Sequence, residues 1–188
     1  MKGRTDASAT DNEYEMAVKE IRAFRPPCDA SSEMVNVKAF LDRDVSDLMP
    51  YVKGELDSVK YFPKGPYIKF VFQGHPVTID HDCIAIAGFA DDESARQCAR
   101  EVVDFLRDIE SRMATITPDT TAFNPPSAMD VFKLLPKKAG CAKCGYPACM
   151  AFAVALTKEE TGPEMCPTLA ETTEGGNRLK HLKEMLGF

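Results

Sequence analysis

Apolar residues recur along this chain with two different periods. Val35, Val37 and Ala39 alternate with polar neighbours, as do Ile68, Phe70 and Phe72 over residues 67–73, Val77 and Ile79 over 76–80, and Ile84 and Ile86 over 83–88. A period of two places alternate side chains on one face of a pleated strand, so each run predicts a strand. Gly74 and Asp80-His81-Asp82 supply the turns between them. A further strand over 59–62 is less well marked, because Pro63 and Pro66 cut it short. From Asp91 or Asp92 the period changes: Ala95, Cys98, Ala99, Val102, Leu106, Ile109 and Met113 are three or four residues apart. That spacing predicts the longest helix, with one apolar face laid over the sheet.

The flanks follow the same logic. Met16, Val18 and Ile21 suggest a short helix over residues 15–24 within a peripheral arm, residues 1–32. Ser46 is placed to cap a helix running to Leu56, with Pro50 tolerated near its first turn. After a Pro/Thr-rich linker, 116–126, Ser127 caps a brief helix containing Met129, Phe132 and Leu135, which Pro136 stops. The expected fold is α+β: a small mixed or antiparallel sheet covered by a long helix over residues 33–115, then a small, mainly helical module over 127–188.

Composition narrows what such a chain does. Its 188 residues are 44% hydrophobic, enough to bury a real core. The longest apolar runs, 83–90 and 148–156, fall well short of the roughly 20 residues of a membrane-spanning helix. A net charge of -6 opposes binding to nucleic acid or to anionic lipid, both of which require Lys and Arg against phosphate. The first fifteen residues carry no apolar signal stretch, which predicts a cytoplasmic protein. In a reducing cytosol the seven cysteines would remain thiols, so metal binding explains them better than disulfides.

Four of the seven form a set. Residues 140–169 contain Cys141, Cys144, Cys149 and Cys166, spaced Cys-x2-Cys-x4-Cys-x16-Cys and followed at once by Pro167. A cubane [4Fe-4S] cluster needs four thiolates converging on one centre, and two of them on a tight loop can bind neighbouring irons. Gly145 would let that loop turn. Pro147 is placed to open a helix with Cys149 in its first turn, where the positive end of the macrodipole faces an anionic cluster. Cys149, Phe152, Ala153 and Leu156 would then share one face, shielding the centre from water. A structural zinc site also accepts four thiolates, but zinc sites usually pair two Cys-x2-Cys hairpins. Zinc is therefore the alternative metal.

The CGYPACMAFA stretch, the four cysteines and Pro167 resemble the iron-sulfur domain of the large (gamma) subunit of the corrinoid iron-sulfur protein of acetyl-CoA decarbonylase/synthase, and of the Rnf complex B subunit. The resemblance covers roughly the last 50 residues. It implies that Cys141, Cys144, Cys149 and Cys166 are the cluster ligands. With Lys133 to Pro136 included, the chain is also similar to small stand-alone iron-sulfur proteins of anaerobes. Nothing here resembles the corrinoid-binding barrel, nor the ferredoxin repeats and membrane segment of the Rnf protein, so those proteins' substrates do not carry over. What the resemblance implies is a redox partner protein, with a corrinoid protein or another low-potential enzyme the natural recipient.

Cys98, on the buried helix face, and Cys83, opening a strand, read as small core residues, and Cys28 as incidental. Residues 131–158 contain no acidic residue but five lysines, Lys133, Lys137, Lys138, Lys143 and Lys158. These either offset the negative cluster or form a docking patch for an acidic partner. No nucleotide-binding glycine loop, nucleophile elbow or histidine pair suggests an enzyme. The chain thus reads as a one-electron transfer or accessory protein, the alternative being a cluster- or zinc-stabilised interaction or sensor module.

Overall fold

The computed structural model describes residues 16–26, 33–137, 141–170 and 173–187. The chain divides into two compact units, residues 1–57 with 61–120, and residues 58–60 with 121–188.

The first unit is built on an antiparallel sheet in the order β1-β2-β6-β5-β4-β3. The sheet's strands are β1 (Val18–Phe24), β2 (Val35–Leu41), β3 (Lys60–Phe62, of which Lys60 is counted with the second unit), β4 (Tyr67–Phe72), β5 (His75–Asp80) and β6 (Cys83–Phe89). The alternation in the sequence sorts residues between faces as expected: Val35, Val37, Ala39 and Leu41 of β2 and Ile84 and Ile86 of β6 are buried. The β4–β5 hairpin turns on Gln73 and Gly74, both with positive φ (51° and 85°), the two-residue turn that matches strand twist.

Helix α2 (Asp92–Ser111) covers β1, β2 and β6. Its face of Ala95, Cys98, Ala99, Val102, Leu106 and Ile109 is buried, together with Val103. Asp91 is extended and caps the helix, its carboxylate accepting from the Ser94 N–H at 2.8 Å. Met113 lies beyond the helix end.

Two expectations are corrected here. Residues 18–24 form an edge strand, not a helix. The reason is a bulge between Val18 and Glu20: Val18 pairs with Leu41 and Ile21 with Ala39, so two residues three apart face the same side of the sheet. A bulged strand thereby acquires a helical spacing. Ser46 is not a cap either. It opens a 3-10 turn, Ser46–Leu48, that runs into α1 (Met49–Glu55), and it is Asp44 whose carboxylate accepts from the Ser46 N–H at 2.7 Å. Pro50 does sit in the first turn of α1. Residues up to Thr120 stay with this unit: the Asp119 N–H donates to Pro50 O at 2.9 Å, and Lys53 pairs with Asp119 at 3.0 Å. Gly54 lies so close to Thr117 that a Cβ there would meet its carbonyl oxygen at 2.1 Å.

The second unit contains α3 (Ala128–Leu134), α4 (Cys149–Thr157), a 3-10 turn (Pro163–Met165), α5 (Pro167–Ala170) and α6 (Thr173–Leu186). Val131, Leu135, Phe152, Ala153, Leu156, Leu169, Leu182 and Leu186 form its core. Met129, expected on the apolar face of α3, is 53% exposed, and Val131 takes the buried position. No helix among the described residues is long and apolar enough to cross a membrane.

Candidate metal centre

The second unit builds its cysteine region from α3 onward. Ser127 caps α3 by accepting from the Asp130 N–H at 3.2 Å, while its hydroxyl donates to Asp130 Oδ2 at 2.6 Å. Lys133 and Ser127 together hold the Asp130 carboxyl below its ordinary range, the Lys133 contact being the larger cause. Pro136 follows Leu135, the last residue of the cap, and the chain leaves with Lys137 at positive φ (55°), its ammonium 5.4 Å from the centre of the Phe132 ring. Residues 138–140, which include Lys138, lie outside the described residues.

Cys141 and Cys144 flank a tight loop. Gly145 has φ +83° and its N–H donates to Ala142 O at 2.9 Å, so the chain reverses there through a backbone region that glycine enters without strain. Helix α4 starts at Cys149 with Ala148 as its extended cap. Pro147 therefore lies just outside the helix and does not open it, as the Pro-first pattern had suggested. Cys149 is nevertheless its first residue, ahead of the buried Phe152, Ala153, Ala155 and Leu156. Tyr146 packs obliquely on Phe152, ring centres 5.4 Å apart.

Cys166 closes the 3-10 turn that follows Gly162. Pro167 begins α5, where its missing N–H needs no partner. Helix α6 is absent from the sequence reading, although Leu179, Leu182, Met185 and Leu186 carry helical spacing; Leu182 and Leu186 are core residues, and Leu179 and Met185 pack against them.

All four cysteines of the set are free thiols. Three of them meet one apolar body: Cys166 is part of the buried core of this unit, and Cys144 and Cys149 pack against it. Cys141 is half-buried and is not among these contacts. Among the described residues no three His, Cys, Asp or Glu side chains are gathered closely enough to hold a metal ion. What fits an iron-sulfur cluster is thus the donor chemistry, four thiols, and the apolar wall behind three of them. The sulfurs do not form one coordination sphere as they stand.

Comparison with known proteins bears on the same segment. Residues 135–168 match the family described as "Putative Fe-S cluster". This segment is similar to iron-sulfur cluster domains. A 43-residue stretch is 58% identical to the acetyl-CoA decarbonylase/synthase complex subunit gamma of Methanocaldococcus jannaschii, covering 23% of this chain and 9% of that protein. A 60-residue stretch is 47% identical to the subunit of the same name from Methanopyrus kandleri, covering 32% of this chain and 12% of that protein. The chain thus spans about a tenth of the length of these relatives. No solved structure matches it significantly.

Two further described thiols lie in the first unit, while Cys28 lies outside the described residues. Cys98 is buried in α2, as its spacing indicated; Cys83 is half-buried, opposite Phe40 of β2 and Asp80 of β5. Burial pushes both thiols up, with the Glu101 charge adding to the effect at Cys98, and Asp82 and Asp80 adding to it at Cys83 against the opposing Lys38. The lysines of 131–158 are partly compensated from just outside that segment: Lys133 bonds Asp130 at 2.8 Å and Lys158 approaches Glu160 at 3.8 Å. Both ammonium-bearing side chains are still mostly exposed.

Proposed function

We propose that Cys141, Cys144, Cys149 and Cys166 hold one [4Fe-4S] cluster, and that the chain passes single electrons to a protein partner without catalysing a reaction of its own. The observation that carries this reading is the meeting of Cys144, Cys149 and Cys166, from a loop, a helix start and a turn, on one buried apolar core. Cys141 would complete the set from the near end of the short loop that the Gly145 N–H closes on Ala142 O.

A bound cluster of this type supplies one-electron redox chemistry. The chain's own residues do the rest. Four thiols give up their protons to become ligands, which makes loading pH-dependent. Phe152, Leu156 and Leu169 exclude water on the core side, and the first turn of α4 presents its N-terminal end at Cys149. The exposed lysines near the segment favour an acidic surface on the partner. The relatives are named as subunits of a complex, which supports a protein partner here, a corrinoid protein being the reading the resemblance favours.

Strictly anaerobic purification tests the proposal. About four irons and four sulfides per chain are expected, with a paramagnetic signal on one-electron reduction. Replacing any of the four cysteines with Ser should lower iron content, whereas Cys83→Ala and Cys98→Ala should not. Stoichiometric zinc without inorganic sulfide would overturn the cluster, and an iron-sulfur centre that loses iron on reduction would overturn the electron-transfer role in favour of a structural or sensing module.

A further inference from the structure

Cys166 and Thr168 are both buried, at 7% and 8% exposure, and the Thr168 hydroxyl oxygen lies 3.7 Å from the Cys166 sulfur. We propose that Thr168 is a positioning residue for the centre, its hydroxyl donating a hydrogen bond to Cys166 Sγ and raising the reduction potential of the cluster. This rests on the ligand set proposed above.

The direction of the hydrogen bond follows from the chemistry of the ligand. Between a thiol and a hydroxyl either atom can donate. A thiolate bound to iron has no proton, so the hydroxyl alone can donate. Three neighbouring backbone positions do not serve the sulfur. Pro167, next to the ligand, has no N–H. The Cys166 N–H donates to Pro163 O at 3.3 Å, and the Leu169 N–H to Cys166 O at 3.1 Å. Burial keeps water from competing for the sulfur, which strengthens the effect of one hydrogen bond. A donor at a ligand sulfur stabilises the more negative, reduced state of a cluster more than the oxidised one, so its removal lowers the potential.

The test uses the full chain, loaded anaerobically, with Thr168→Val and Thr168→Ser beside the wild type. Each is analysed for iron and sulfide and then titrated against a one-electron chemical reductant, followed by paramagnetic resonance. The expected result is a complete cluster in both variants. Thr168→Val should have a reduced-to-oxidised ratio about threefold to tenfold lower at the wild-type midpoint, tenfold being about 59 mV for one electron. Thr168→Ser should titrate with the wild type. A fully loaded Val variant at the wild-type potential would overturn the proposal, as would a Ser variant shifted as far as Val. If the Val variant does not load, Thr168→Ala takes its place with the same two outcomes. Wild-type protein without iron and sulfide overturns the ligand set itself, a failure that the metal analysis separates from that of Thr168.

Discussion

Lys60 and Glu159, 99 residues apart in the chain, form an ion pair at 2.9 Å in which the lysine side chain is 7% exposed and the glutamate 40%. Glu159 lies at the end of α4 with φ +59°, where the Glu160 N–H donates to Ala155 O and the Glu159 N–H to Leu156 O. That is the helix-ending motif in which glycine is usual, and a side chain there is strained by about 1 kcal/mol. The pair thus holds a strained residue in place, and the ammonium also lies 5.5 Å from the centre of the Phe123 ring.

The asymmetry of burial orders three substitutions. Glu159→Gln leaves a buried ammonium without its carboxylate and should destabilise by about 2 kcal/mol, less than a fully buried pair because the glutamate is partly solvated. Glu159→Gly loses the same pair but relieves the backbone, so it should cost about 1 kcal/mol less than Glu159→Gln. Lys60→Met leaves a glutamate that water can solvate and should lie within about 1 kcal/mol of the wild type. Urea unfolding measures all three, and Lys60→Met proving the most damaging would refute this account.

The cap of α2 carries a pH dependence. Hydrogen bonds from the Ser94 N–H and then from its hydroxyl, each at 2.8 Å, hold the Asp91 carboxyl below its ordinary value of 3.8. A carboxyl with a depressed folded-state pKa contributes stability that is present above the unfolded value and is lost as pH falls through the folded one. Wild-type stability should therefore fall below pH 3.8. Asn caps helices as well as Asp but does not titrate, so Asp91→Asn should flatten that acid limb while leaving stability near neutrality nearly unchanged. The limb should not vanish, because Asp130 and Asp44 are depressed in the same direction. Equal acid slopes in denaturation of the two proteins would contradict the assignment.

Strands and the long helix were legible because their side chains obey one period over many residues. Val35 to Leu41 and Ala95 to Ile109 each bury the positions that their spacing names. The failures have local causes. At β1 the bulge converts a strand into apparent helical spacing, and at α3 and α6 a single turn's choice between Met129 and Val131, or a Gly175-Gly176 pair, hides which face is buried. Of the candidate site, the turn at Gly145 and the place of Cys149 in the first turn of α4 were readable from turn and helix chemistry, whereas the helix start, placed by the proline pattern at Pro147, was not. The role of Thr168 was not, because a hydroxyl two residues from a cysteine becomes a neighbour of its sulfur only through the local turn after Met165.

Cys83 and Cys98 should be poor nucleophiles. Burial raises the pKa of both Cys83 and Cys98, so less thiolate is present at a given pH than in the unfolded chain. With iodoacetamide at about pH 8, peptides bearing Cys83 and Cys98 should be labelled at least about tenfold more slowly in native than in denatured protein. Mass spectrometry of quenched time points measures this. Native labelling as fast as denatured would mean that these strand and helix positions open freely to solvent.

Gly145 separates conformational strain from crowding. A Cβ built there meets nothing within 4 Å, yet φ is +83°. Gly145→Ala should therefore destabilise the second unit by about 1 kcal/mol through backbone strain alone, since no neighbour has to move. Asn tolerates the left-handed region better than Ala, so Gly145→Asn should recover part of the loss despite its larger side chain. If crowding were the cause, the order would reverse and Asn would be worse. Iron content should follow the same order, Gly then Asn then Ala, because the turn that Gly145 makes by donating to Ala142 O sets the spacing between Cys141 and Cys144. Iron analysis and urea unfolding of the three proteins that agreed with each other but placed Ala above Asn would show that the side-chain volume, and not the sign of φ, governs this loop.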